Sequence, residues 1–160
     1  MTARNAIISM VLGSLMLGGC AATQDTILIE EGYHRQLKPL ATSEASKMSS
    51  FLWNTNFSVP EASPLTCFMI VQAINSQMAK SNESLRFKFE FSKGSEGYFR
   101  PMLSKPLTTW YSKSVSEAQV KSKLAEANLS EVLGAIGEQL GLNVVWYNDT
   151  IILSNYLTSD

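Results

Sequence analysis

Leu85-Arg86-Phe87-Lys88-Phe89-Glu90-Phe91 alternates apolar and charged residues without interruption, and no other stretch of the chain constrains its own structure so tightly. Successive side chains of a β-strand point to opposite faces, so this segment hides Leu85, Phe87, Phe89 and Phe91 on one side and shows Arg86, Lys88 and Glu90 on the other. It predicts a half-buried strand with one wet side, in an antiparallel or edge position.

Such a strand needs a layer to pack against. Cys67, Ile70, Val71, Ile74 and Met78 precede it at helical spacing on one stripe. Ser63-Pro64 supplies a start signal, since serine caps free amides and proline at the first helical position loses no hydrogen bond. Ser92 to Gly97 reads as a turn, and Leu107 to Val115 as a strand containing Trp110 and Tyr111. Val120, Ser122 and Leu124 alternate with Lys121, Lys123 and Ala125, which predicts another short strand. Asn128-Leu129-Ser130-Glu131 then has the form of an N-cap with a glutamate three places on. The helix it opens carries Leu129, Val132, Leu133, Ile136 and Leu140, and Gly141 stands where a left-handed cap is wanted. Leu142 to Tyr147, the turn pair Asn148-Asp149, and Thr150 to Ser154 make a terminal hairpin. The two helical stripes share one spacing and each precedes a β-rich stretch. The expectation is an α+β domain over residues 63–160, a small mixed β-sheet packed with two α-helices.

Upstream, residues 20–62 read as a flexible tether rich in Thr, Ser, Ala and Glu and interrupted by proline. Two pieces of it, 26–30 and 50–53, are apolar enough either to pack back on the domain or to dock on a partner. Residues 1–19 read as a secretory signal: Arg4 precedes an apolar core from Ala6 to Leu17, shorter than the roughly 20 residues of a membrane span. Its end, Leu17-Gly18-Gly19-Cys20, resembles the lipobox of bacterial lipoproteins; the alternative is an ordinary signal cut near Ala21 or Ala22. The resemblance implies lipidation at Cys20. Ala21 stands where an aspartate would favour inner-membrane retention, which implies the outer membrane, with the domain facing the periplasm. Such an anchor buries several acyl chains at about 0.8 kcal/mol per methylene, so attachment would be lasting.

Charge and chemistry narrow the function. Thirteen Lys and Arg against fourteen Asp and Glu leave a net charge of −1 with no basic stripe, which speaks against nucleic acid. With Cys20 on lipid, only Cys67 remains, so no internal disulfide is expected. The one histidine, His34, lies in the tether, so neither a histidine triad nor a histidine-rich metal site is expected, and no cofactor. Glu126, Glu131 and Glu138 could supply a carboxylate pair but read better as solvated charges on a helix, and catalysis is not expected. Cys67 is a reactive thiol or a small buried hydrophobe, and its place on the stripe favours the core.

From Val120 to Leu153 the chain resembles the small periplasmic domain at the N-terminus of secretins and of TonB-dependent signalling receptors. The shared pattern falls on Asn128, Leu129, Leu133, Gly141, Leu142 and the Ile151 to Leu153 strand. A free-standing lipoprotein with this domain resembles the DotD-type subunits of type IVB secretion and conjugation systems, and the TcpQ group associated with type IV pilus secretins. The resemblance implies a structural or assembly subunit of an envelope-spanning channel. Its partners would be secretin or secretin-like subunits and other envelope lipoproteins, in a hetero-oligomeric ring. A signalling module that docks a periplasmic regulator and a small envelope hydrolase are the alternatives.

Partner contacts are sought first on sheet edges, where another chain can add a strand. The 85–91 and 151–154 strands are the candidates, which nominates Phe89, Ile151 and Leu153. Of the pairs Trp110/Tyr111 and Trp146/Tyr147, both members pack inside or one points outward as an anchor; Trp110 and Tyr147 are nominated, and strand alternation puts one of Trp146 and Tyr147 outside the core. Gly134 and Gly137 each cost about 1 kcal/mol against alanine in mid-helix, which implies close approach of the sheet or of a partner.

Overall fold

Capping chemistry sets the helical half of the molecule. A computed structural model describes residues 28–29, 42–92 and 94–155, apart from the side chains of 28–29, 42–45 and 147. The elements are β1 (Leu28–Ile29), α1 (Thr42–Asn54), α2 (Cys67–Lys80), β2 (Arg86–Glu90), α3 (Glu96–Leu103), β3 (Thr109–Trp110), β4 (Lys113–Ser114), α4 (Glu117–Glu126), α5 (Leu129–Leu140), β5 (Asn143–Tyr147) and β6 (Thr150–Ser154). Among the described residues the chain is therefore mixed α and β, five helices with two small sheets, and no helix is long and apolar enough to cross a membrane.

Asn128 and Glu131 form the expected capping box: the Asn128 side chain accepts from the Glu131 N–H at 2.9 Å, and the Glu131 carboxylate accepts from the Asn128 N–H at 2.9 Å. Gly141 closes α5 in the left-handed conformation (φ 66°), as expected. α4 corrects the strand expected at Val120 to Leu124. Two apolar residues four apart fit either period, and what decides is a second capping box, Ser116 with Gln119, so Val120 and Leu124 share one buried helix face. The start of α2 also moves, from Ser63 to Thr66, whose hydroxyl accepts from the Met69 N–H. An antiparallel bridge from Thr66 to Pro106, with Leu107 N–H on the Leu65 carbonyl, holds this backbone extended up to the helix.

The four-stranded sheet has the order β1-β2-β6-β5. β5 and β6 form the expected hairpin, with β6 on the inside, so β2 runs parallel to β6 and to β1. This overturns the antiparallel or edge position expected for the 85–91 strand, and the edge position expected for 151–154. Phe87 and Phe89 stand opposite Ile151 and Leu153 on the helix side, and all four are fully buried. The second face is not the wet side the alternation predicts: Glu90 is 5 % and Ile152 1 % exposed. Across the ladder Lys88 neighbours Ile152, which neighbours Val145, so this face is part apolar, a fact that one strand read alone does not carry.

The packed region starts earlier than residue 63. α1 lies on α5, Leu52 and Phe57 enter the core, and Thr55 and Phe57 exchange backbone hydrogen bonds with Leu129 and Ala127. Where a tether is expected to run to residue 62, a helix starts at Thr42 and buried side chains appear from Leu52, through which the 50–53 piece packs back on the domain. Residues 1–27, with the expected signal and Cys20, lie outside the described residues, as does His34.

Candidate functional site

α5 is buried on one side and grooved on the other. Leu129, Val132, Leu133, Ile136 and Leu140 face the core, while Ser130, Glu131, Gly134 and Glu138 border a groove of about 210 Å³. Trp53 of α1 forms one wall and the β3–β4 hairpin, through Trp110 and Tyr111, the other. Gly134 lies on its floor, exposed, and a Cβ built there would meet no atom within 4 Å.

The hairpin wall is held in an unusual backbone. Trp110 pairs with Lys113, so Tyr111 and Ser112 are the two loop residues, and both have positive φ, 49° and 60°. That is a type I′ turn, which ordinarily takes Asn-Gly; an L-residue other than glycine in this region costs roughly 1–2 kcal/mol. Carboxylates of α5 hold it. Glu138 accepts from the Ser112 N–H at 2.9 Å and from its hydroxyl at 2.8 Å, and Glu131 accepts from the Tyr111 hydroxyl at 3.1 Å. Gln139 ties down the base of the hairpin, accepting from the Thr108 N–H and donating to the Pro106 carbonyl. Partial desolvation, then the hydrogen bond to Glu131 and the negative charge of Glu131 and Glu138, push the Tyr111 hydroxyl above its ordinary pKa.

The outcome is that Trp110 is 6 % exposed, whereas Tyr111 is 62 % and Trp53 55 % exposed. Of the Trp110/Tyr111 pair, the outward residue is Tyr111, and Trp110 serves as wall. Phe89, Ile151 and Leu153, nominated on the strength of edge strands, are fully buried in the core and present no side chain to a partner. β1 covers β2 only at Phe89 and Glu90, and at Phe87 the Asn75 amide of α2 donates to the carbonyl and accepts from the N–H, each at 2.9 Å, taking the place of a neighbouring strand. β5 is the outer strand on the other side. Tyr147 contributes backbone there, paired with Thr150, and its side chain lies outside the described residues. Trp146 packs against the core, its indole N–H buried and without a hydrogen-bond partner among the described residues.

Sequence reasoning reaches Trp53 only as part of the 50–53 piece, able to pack back or to dock on a partner, without singling it out as an anchor, and it misses the service of Glu131 and Glu138 to the turn. Cys67 is fully buried, its thiol pushed up to about 12 by burial, and behaves as core. Glu126 is exposed on α4, away from the groove lining. Gly137 is explained inside the molecule: a Cβ there would lie 2.9 Å from the Leu142 carbonyl oxygen. Two wider depressions, of about 500 and 800 Å³, gather a single aromatic residue between them, Phe51, and lack the groove's convergence. No protein family, curated protein or solved structure matches this chain.

Proposed function

We propose that this chain is an outer-membrane lipoprotein, anchored through Cys20, that serves as a structural or assembly subunit of an envelope-spanning secretion, conjugation or type IV pilus channel. Its partners are secretin or secretin-like subunits and other envelope lipoproteins. The observation that carries the reading is the α5 groove. Two large aromatic side chains stand in solvent beside a glycine floor, and the turn that presents one of them is strained and clamped from below. Strain of this kind persists where the surroundings over-determine it, and it gathers at functional contacts. Exposed Trp and Tyr beside a concave, glycine-floored surface are what a protein interface uses as anchors.

The secretin-like reading draws support from the positions of its pattern. Asn128 caps α5, Leu129 and Leu133 enter the core, Gly141 takes the left-handed turn, Leu142 is buried behind it, and Ile151 to Leu153 run through the middle of the sheet. The test is mild detergent extraction of the envelope followed by sizing and identification of co-migrating proteins. Migration in a high-mass complex with a channel subunit is expected, and its loss in a Tyr111→Ala, Trp53→Ala variant. A chain that runs alone at monomer size overturns the assembly reading. Fatty-acid labelling that survives Cys20→Ala removes the anchor.

A further inference from the structure

We infer that the α5 groove receives an arginine side chain presented by a partner polypeptide; taking the occupant to be a polypeptide rests on the assembly reading above. The groove combines three features that a guanidinium answers together. Trp53 and Tyr111 offer exposed π-faces, on which a weakly hydrated planar cation stacks. Glu131 and Glu138 bring two carboxylates to the same lining. Gly134 leaves the floor open to a long side chain.

The charge balance is what selects the cation. Glu131 accepts from the Asn128 N–H and the Tyr111 hydroxyl, and Glu138 accepts from the Ser112 N–H and hydroxyl. All four donors are neutral, so neither carboxylate is paired with a cationic side chain among the described residues, and each keeps acceptor capacity for an N–H fork. Among the described residues the one ion pair is Glu96 with Arg100, away from this lining; Lys113, next to the turn, makes none. A neutral or acidic occupant would desolvate both carboxylates uncompensated, at a cost that a guanidinium offsets. A free small cation would satisfy the carboxylates but leave the outer faces of Trp53 and Tyr111 in water, whereas a polypeptide covers them.

The experiment uses the full chain in detergent, isotopically labelled, with a short apolar peptide carrying one central arginine as the probe. The matched peptide with citrulline, which keeps the shape and loses the charge, and guanidinium chloride alone serve as the other arms. The arginine peptide should shift the indole signals of Trp53 and Trp110 and the amide signal of Gly134, binding about tenfold more tightly than the citrulline peptide. Glu138→Gln and Glu131→Gln should each weaken it. The latter keeps the capping box, since glutamine serves at that position, so the fold is preserved. Equal binding of the arginine and citrulline peptides, or shifts that map elsewhere, overturns the inference. Guanidinium alone reproducing the full shifts at the same concentration overturns the polypeptide occupant. The two readings fail separately. A monomeric chain that still binds the arginine peptide sinks the assembly role only, and a complex that survives Glu131→Gln with Glu138→Gln sinks the arginine contact only.

Discussion

Gly134 and Gly137 sit one turn apart on α5, break the same propensity rule, and do so for opposite reasons. Gly137 is closed in: the chain leaves the helix through Gly141 and folds back so that the Leu142 N–H bonds to the Gly137 carbonyl at 2.9 Å, leaving no room for a Cβ. Gly134 is open: beyond its own stretch of helix, no described atom lies within 4 Å of where a Cβ would stand. One glycine is required by the fold; the other weakens the helix with no return inside the molecule. A residue that costs stability and repays it nowhere internally is in keeping with the proposed docking in the groove. The contrast extends to the flanks. The inward side of α5 shares its packing with Cys67 and Leu142, and the outward side faces Trp53 and Tyr111 with two carboxylates that have no cationic partner among the described residues.

The largest effect that sharpens this contrast is on the inward side, at high pH. A thiol that ordinarily ionises at 9.0 and is held to about 12 binds its proton more firmly folded than unfolded. That stability is whole below pH 9, falls as pH rises, and is gone above 12, a loss of roughly 4 kcal/mol. Urea midpoints should drop along this alkaline limb, and Cys67→Ala should flatten it; an unchanged limb would show that Cys67 reaches water. Next comes Gly137→Ala, which drives a methyl into the Leu142 carbonyl and should destabilise by about 2 kcal/mol. Denaturant unfolding reads it directly, and wild-type stability would mean the C-terminal turn of α5 yields. Gly134→Ala should have the opposite sign, stabilising by up to about 1 kcal/mol while weakening association. If both alanines destabilise, the open floor is not open.

How much of this was legible depends on how far apart the deciding residues lie. Both helical stripes, the Asn128 box, the Gly141 cap and the terminal hairpin rest on residues a few positions apart, and they stand where local chemistry put them. The strand at 85–91 was legible as a strand but not as a neighbour: its place beside β6 depends on the hairpin inserting inner strand first, a choice made some sixty residues on. α4 was lost because Val120 and Leu124 satisfy two periods at once, and the signal that separates them, Ser116 with Gln119, lay just before the window. α1 is not legible because its stretch is largely polar and, among its described side chains, Leu52 alone is buried. Without the helix, the 50–53 piece reads as a candidate partner contact, but Trp53 has no place beside α5. The carboxylates of α5 look solvated in sequence, and nothing local to 126–138 shows that Glu131 and Glu138 reach a turn twenty or more residues away at Tyr111 and Ser112.

The smallest expected effect on stability is the most telling about the groove. Tyr111 sits at φ 49° in a turn whose first loop position suits asparagine, which tolerates the left-handed region through its short polar side chain. Tyr111→Asn should therefore relieve strain and lose the hydrogen bond to Glu131, a near-balance that leaves the fold a few tenths of a kcal/mol more stable. Association should nevertheless fall by about tenfold, because the exposed ring is removed from the groove wall while the Ser112 clamp on Glu138 is kept. Thermal unfolding together with sizing of the proposed envelope complex reads both sides at once. A variant that gains stability and loses its partner shows that the turn is strained for binding; one that loses stability and keeps its partner places Tyr111 in the fold, and moves the interface to the other open feature of the sheet, the outer edge of β5.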